Sequence, residues 1–296
     1  MKISITGANS SVGTNLLGHL SEIEGMEVIA GVRSKSAFAS LPQSPAVTPT
    51  TISYDDSASL EQALAGADCV IHLAGILIEN KHSNYASANV AATAAVVEAA
   101  KAMSVKHIIF ISVVGASASS SNAYFRSKGA AEELVLNSGL AGTVVRTPIL
   151  MGPGTAGASS LIGTASSGQA KVLGGGDYSM RPLDTDDLSS ALIKLATKEA
   201  EGSQVFELVG PEAIAYKDLI KKTAGLMGKE VEVGSVPVLF AKIGAAIGST
   251  IKGGGITPTV IDVITMNEVV SQNADSQIGI SLTPLQDTLT KILNNE

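Results

Sequence analysis

The stretch Lys2-Ile-Ser-Ile-Thr6-Gly7-Ala-Asn9-Ser10-Ser11-Val12-Gly13 decides how this chain is read: a short apolar strand runs straight into a glycine-containing turn, and the turn opens a helix carrying Val12, Leu16, Leu17 and Leu20. A helix start collects unpaired N–H groups and the positive end of the helix dipole, so a pyrophosphate can rest there where no side chain obstructs the backbone. Gly7 and Gly13 are expected to give that clearance, with Asn9, Ser10, Ser11 and Val12 forming the rest of the turn. Ser10 stands where the glycine-rich form of the turn has its middle glycine. The same strand, turn and helix also occur in α/β proteins that bind nothing, so the weight of this stretch depends on what surrounds it.

Further apolar, β-rich runs follow at 28–32, 51–54, 69–74, 107–114 and 143–146, with helical patterns between most of them. Such alternation predicts an α/β fold: a doubly wound parallel sheet of Rossmann type with helices on both faces. Pro42, Pro45 and Pro49 are expected to break 40–50 into turns, whereas the alanine-rich stretch 85–103 reads as a helix. After Arg146 the texture turns rich in Gly, Ser and Ala, and a helix over 186–197 and a strand over 204–209 return to the sheet. We therefore expect a dinucleotide-binding domain over 1–150, rejoined by 183–210. The segments 151–182 and 211–296 would form a smaller, mainly helical lobe for substrate or partner, with helices at 216–227, 238–251, 258–267 and 284–293.

The 296 residues carry a formal net charge of -7 and few clusters of Lys or Arg, which argues against nucleic acid as a partner. The longest apolar stretch, 236–251, is too short to span a bilayer and is interrupted by Lys242, so a packed helix is expected there. With no charged-then-apolar leader ahead of the first strand, the expected location is cytoplasmic. Cys69 is the single cysteine and lies in an apolar strand, where it reads as a buried packing residue. His72 has no second His or Cys at ligand spacing, so it reads as a strand-end packing residue and no metal site is expected.

The second strand ends in Arg33, Ser34 and Lys35, where an NAD-specific turn would place an acid for the ribose 2'-hydroxyl. Arg33 and Ser34 suit a 2'-phosphate instead, so NADP(H) is the expected cofactor, with NAD(H) possible; the plain alternative is a solvated surface loop. Ser53 and Tyr54 are placed to flank the adenine, and Leu73, Ala74 and Gly75 to bring backbone near the riboses. Asp56 suits a helix cap near Leu60. Tyr124-Phe-Arg-Ser-Lys128, ahead of a helix over 129–136, sets a phenol and an ammonium four residues apart on one helical face. There the ammonium could lower the phenol's pKa and hold the cofactor ribose, and the phenol could exchange a proton with a carbonyl or alcohol.

Taken together, these residues make the chain resemble the extended and atypical branches of the short-chain dehydrogenase/reductase superfamily. Within it, the chain is similar to NAD-dependent epimerase/dehydratase-like proteins and to NAD(P)H-binding proteins related to the NDUFA9-type subunit of complex I. The resemblance runs through 6–13, 67–75, 89–100, 108–116, 124–132, 145–152 and 180–188. It implies an oxidoreductase or epimerase/dehydratase in which Tyr124 is the general acid/base, Lys128 tunes it and holds the ribose, and Ser112 polarises the substrate oxygen. Where the family commonly carries the second serine of a pair, this chain has Val113. That departure keeps open a non-catalytic NADPH-binding protein with a structural, sensing or assembly role. The partner would be a small-molecule substrate or, through the C-terminal lobe, another protein, and the chain a monomer or homodimer.

Overall fold

Parallel strands cannot be joined by tight turns, and the helical stretches between the apolar runs supply the crossovers. In the computed structural model, which describes residues 1–252 and 255–295, the first part of the chain alternates accordingly. It runs β1 (Lys2–Thr6), α1 (Ser11–Ser21), β2 (Glu27–Val32), β3 (Val47–Thr51), α2 (Ser57–Leu64), β4 (Cys69–His72), α3 (Ala92–Ala102), β5 (His107–Val113), α4 (Ala123–Leu136) and β6 (Ala141–Thr147). The chain then leaves the sheet through β7 (Leu150–Met151), α5 (Ala156–Ala165), β8 (Gln169–Leu173), β9 (Ser179–Met180) and β10 (Leu183–Asp184). It returns with α6 (Thr185–Thr197) and β11 (Ser203–Glu207). The remainder is β12 (Ile214–Ala215), α7 (Tyr216–Leu226), β13 (Glu232–Val236), α8 (Val238–Lys252), α9 (Pro258–Ile264), α10 (Asp275–Ile278) and α11 (Leu285–Asn294).

The central sheet has seven strands in the order β11-β6-β5-β4-β1-β2-β3, all pairs parallel. Its order reverses between β1 and β4, so the first glycine turn and the end of β4 open a crevice at the carboxyl edge. One face is closed by Leu16, Leu17 and Leu20 of α1 with Leu188 and Leu192 of α6, packed with Ile3 and Ile5. The other is closed by Leu60, Val96, Val97 and Val135 against Val70, Ile108 and Phe110. Cys69 is buried in the first of these cores, as its apolar strand implies.

Three expectations about elements need correction. The strand expected over 51–54 lies at Val47–Thr51 and contains Pro49, paired with Ala30. A proline lacks the ladder N–H, and β3 tolerates it because it is the edge strand. The helix expected to begin at 129 begins at Ala123, because Asn122 accepts hydrogen bonds from the N–H groups of Tyr124 and Phe125. The alanine-rich helix starts with a π-helical stretch, Ala86–Ala91, before α3.

Outside the sheet, Met151, Leu161, Leu219, Ile220, Leu285, Leu289 and Ile292 form a separate core. Short strand pairs accompany the helices there: β8 with β13, β9 with β12, and β7 with β10. The helix expected at 238–251 forms as α8, but it is not packed all round. Leu239, Phe240, Ile243 and Ile247 are exposed along one face, and α9 packs against α8. The side chains of 250–252 lie outside the description. Among the described residues no helix is long and apolar enough to cross a membrane.

Candidate functional site

At the carboxyl edge of β1, Gly7 has φ +78°, a conformation glycine adopts without penalty, and a Cβ there would stand 3.1 Å from the Ala74 nitrogen. Ser10 caps α1: its hydroxyl accepts from the Gly13 N–H at 3.0 Å and donates to the Gly7 carbonyl at 2.9 Å. The residue in place of the middle glycine therefore holds the turn in shape. A Cβ on Gly13 would lie 2.5 Å from the Ala8 carbonyl oxygen, so this glycine clears room for the turn's own backbone.

A groove of about 450 Å3 crosses this edge. Gly7, Asn9 and Ser10 line it from the first turn, Arg33 from the end of β2, Ser53 and Tyr54 from beyond β3, and Leu73, Ala74 and Gly75 from beyond β4. Ser11, Gly13 and Ser34 are not among its lining. Ser34 is exposed and caps the following 3-10 turn, accepting from the Ser36 N–H. Val12 faces a second cleft of about 250 Å3, and there Tyr124, Lys128 and Ser112 come together with Val113, Thr147 and Leu77. The two spaces share Ser10, Leu73, Gly75 and Ile76 along their walls.

The sequence reading did not find the outer wall of the groove, to which His82, Ser83 and Ser87 contribute. It also gave no role to Asn89. That side chain is buried; its oxygen accepts from the Ile76 N–H at 2.8 Å, and its amide donates to the Ile76 carbonyl and to the Ser127 hydroxyl. Asn89 thereby ties the wall after β4 to α4. A Cβ on Gly75 would stand 3.2 Å from the Asn89 Oδ1 and 3.7 Å from the Lys128 Nζ, so a larger residue would press on the Asn89 side chain.

Burial lowers the Lys128 ammonium to about 7, against the opposing attraction of Glu132. Its Nζ donates to the Ile111 carbonyl at 2.7 Å and lies 4.1 Å from the centre of the Phe110 ring. Tyr124 differs from expectation: burial, and then Tyr85 beside it at 5.7 Å, push its phenol well above the ordinary value. Lys128, engaged by Ile111 and Phe110, does not acidify it in this arrangement. Ser112 is fully buried and its hydroxyl has no hydrogen-bond partner among the described residues, whereas Val113 packs among Tyr85, Tyr124 and Phe125. The strand's alternation thus turns Val113, not Ser112, toward the phenol's surroundings.

His72 packs as expected. The Thr93 hydroxyl donates to the Asn89 carbonyl at 2.7 Å, which leaves it to accept from the His72 Nε2–H, while Nδ1 accepts from the Thr6 hydroxyl at 2.6 Å. Burial lowers this imidazole to about 3, keeping it neutral. Asp56 caps α2 by accepting from the Ala58 N–H. Arg181 donates to the Gly210 and Pro211 carbonyls. Among the described residues no group of three or more His, Cys, Asp and Glu is placed to hold a metal ion.

Residues 7–173 match the profile of a family described as NAD(P)H-binding. Over 210 residues the chain is 27% identical to an Arabidopsis thaliana protein, NADH dehydrogenase [ubiquinone] 1 alpha subcomplex subunit 9, mitochondrial, covering 68% of this chain and 50% of that one. Over 243 residues it is 24% identical to a Streptomyces griseus (4-alkanoyl-5-oxo-2,5-dihydrofuran-3-yl)methyl phosphate reductase, covering 82% of this chain and 77% of that one. The chain thus spans about half the length of the plant relative. In three dimensions it resembles a Citrobacter triphenylmethane reductase solved with NADP(H): TM-score 0.77, 22% identity, covering 98% of this chain and 99% of the other. At that identity the likeness speaks for the fold alone.

Proposed function

The chain belongs to this NAD(P)H-binding family, and from that premise we propose that it is an NADP(H)-dependent reductase acting on a carbonyl compound, or on the alcohol in the reverse direction. The observation that carries the reading is the continuity of the two spaces. A dinucleotide lying over Gly7 and Arg33 would pass Gly75 and end beside Tyr124, Lys128 and Ser112. The turn's N–H groups and the α1 dipole would hold the pyrophosphate, and Arg33 a 2'-phosphate. Ser53 and Tyr54 would flank the adenine. Lys128 would hold the nicotinamide ribose, and the bound nicotinamide would supply the hydride chemistry. Tyr124, kept protonated by its surroundings, would donate to a substrate oxygen. The Streptomyces relative, named a reductase, supports this reading.

A second reading rests on Val113 and on the raised phenol: a protein that keeps the dinucleotide and has lost turnover, contacting another protein through the residues after 150. The subunit named in Arabidopsis supports it. Two measurements test the roles given to Arg33 and Tyr124, and turnover itself separates the readings. Titrations with NADPH and NADH, followed by reduced-nicotinamide emission, should show tighter NADPH binding, weakened roughly 10- to 100-fold by Arg33→Ala. Equal affinities, unmoved by the substitution, would refute the role given to Arg33. Tyr124→Phe should leave NADPH affinity unchanged and remove turnover; full turnover in that variant would discard the acid role.

A further inference from the structure

The cleft that holds Tyr124 is more specific about its ligand than the dinucleotide groove. Among the described residues lining it, Lys128 is the single charged one, and its Nζ is already engaged by the Ile111 carbonyl. Arg181, the basic side chain that could serve a diphosphate from the flank, is tied to the Gly210 and Pro211 carbonyls at 3.1 and 3.0 Å. The cleft's lining is mostly apolar, with Ser10, Ser112, Tyr124 and Thr147 the uncharged polar members. Ile76, Leu77, Val113 and Tyr124 of that lining cluster with Tyr85, Phe125, Val263 and Met266, which lie outside it. The rings of Tyr85 and Phe125 stand at tilted angles to that of Tyr124, each 5.7 Å from it, and the Tyr85 hydroxyl donates to the Leu77 carbonyl at 2.8 Å, fixing the wall.

A phosphate or carboxylate brought here would lose its hydration with no free cation among the described lining residues in exchange, which is strongly unfavourable. A flat apolar ring would instead exchange water for aromatic and aliphatic contacts. The cleft's volume, about 250 Å3, would be shared with the nicotinamide ring, which leaves room for a small substrate only.

Resting on the reductase reading above, we infer that the substrate of this cleft is an uncharged, apolar carbonyl compound of one or two rings, not a nucleotide sugar or another phosphorylated carbonyl. In the reaction, a bound reduced nicotinamide would supply hydride to the carbonyl carbon and be oxidised in turn, and Tyr124 would donate its proton to the carbonyl oxygen. The carbonyl would become an alcohol, and the phenol would regain its proton from solvent. The Val113 methyl groups occupy space on the substrate side that a hydroxyl would make polar, which suits an apolar ring.

Calorimetry with 1-indanone and UDP-glucose on protein saturated with NADP+ tests the assignment, because that ketone and the oxidised cofactor cannot react. Binding of 1-indanone, weakened at least 10-fold by Leu77→Asp with NADPH affinity unchanged, is the expected result. NADPH consumption with 1-indanone should also exceed that with dihydroxyacetone phosphate, a phosphorylated carbonyl compound. Should Leu77→Asp fail to fold, Val113→Asp serves the same comparison. Tighter binding of UDP-glucose, absence of ketone binding to the loaded protein, or indifference to both substitutions would overturn the substrate assignment while leaving the cofactor reading intact. Failure to bind NADPH at all would overturn the reductase reading and this assignment with it.

Discussion

Lys128 is buried with its ammonium pressed against a ring and a carbonyl, and that position has a measurable cost. Its folded value is lowered to about 7 by burial, against ~10.4 in an unfolded chain. Between those values the unfolded chain binds the extra proton, so this group's contribution to stability improves as pH rises from 7 toward 10 and is most unfavourable below 7. Lys128→Met should therefore raise the Tm near pH 6.5 and gain clearly less at pH 10 in melting curves; equal gains at both would contradict the burial argument. The spacing of Tyr124 and Lys128 was legible in the sequence because four residues make one helical turn. The upward shift of the phenol was not, because Tyr85 and Phe125 surround it only once α4 is docked beside the wall after β4.

The start of α4 shows what the element adds to its residues. Asn122 caps the helix, and Gly129 lets it approach the loop after β5 so closely that a Cβ would stand 2.2 Å from the Ala118 nitrogen. Backbone cannot yield as a side-chain tip does. Gly129→Ala should destabilise the protein by about 3 kcal/mol in urea titrations, and in the folded fraction Tyr124 and Lys128 should be displaced, weakening NADPH binding. A neutral effect would mean that the loop gives way freely. Elements with strong period and glycine punctuation, such as β1 and its turn, were readable. β3 was misplaced by four residues at its start because Pro49 reads as a breaker unless the strand is known to be the edge. Asn89 and Asn122 escaped notice because a single polar residue among alanines or serines carries no local signal.

Across the whole molecule, the last helix is fastened to the first. Lys291 of α11 pairs with Asp184 and, at 2.8 Å, with Asp186, and Asp186 also accepts from Asn15 and His19 of α1. Burial opposes ionisation of Asp186, but Lys291, Asn15 and His19 outweigh it and hold its carboxyl well below the usual range. The stability this supplies is present above pH ~4 and is lost as pH falls further. Lys291→Met leaves the buried Asp184 without its cation and should cost about 2 kcal/mol. Its acid unfolding, followed by circular dichroism, should also begin at higher pH than in the parent; an unchanged acid limb would deny the coupling. The α/β class was legible because alternation of periods survives any local error. The ties between distant ends were not, since they join residues far apart in the chain. The return of β11 to lie beside β6 carries a consequence in time. During synthesis the Ala141–Thr147 strand emerges well before its neighbour at 203–207, and at about 5–20 residues per second it waits several seconds with one row of amides and carbonyls open. A nascent chain stalled in that interval would present a sticky ribbon to other chains, which makes the ribosome's pace and any waiting chaperone part of how this sheet is completed.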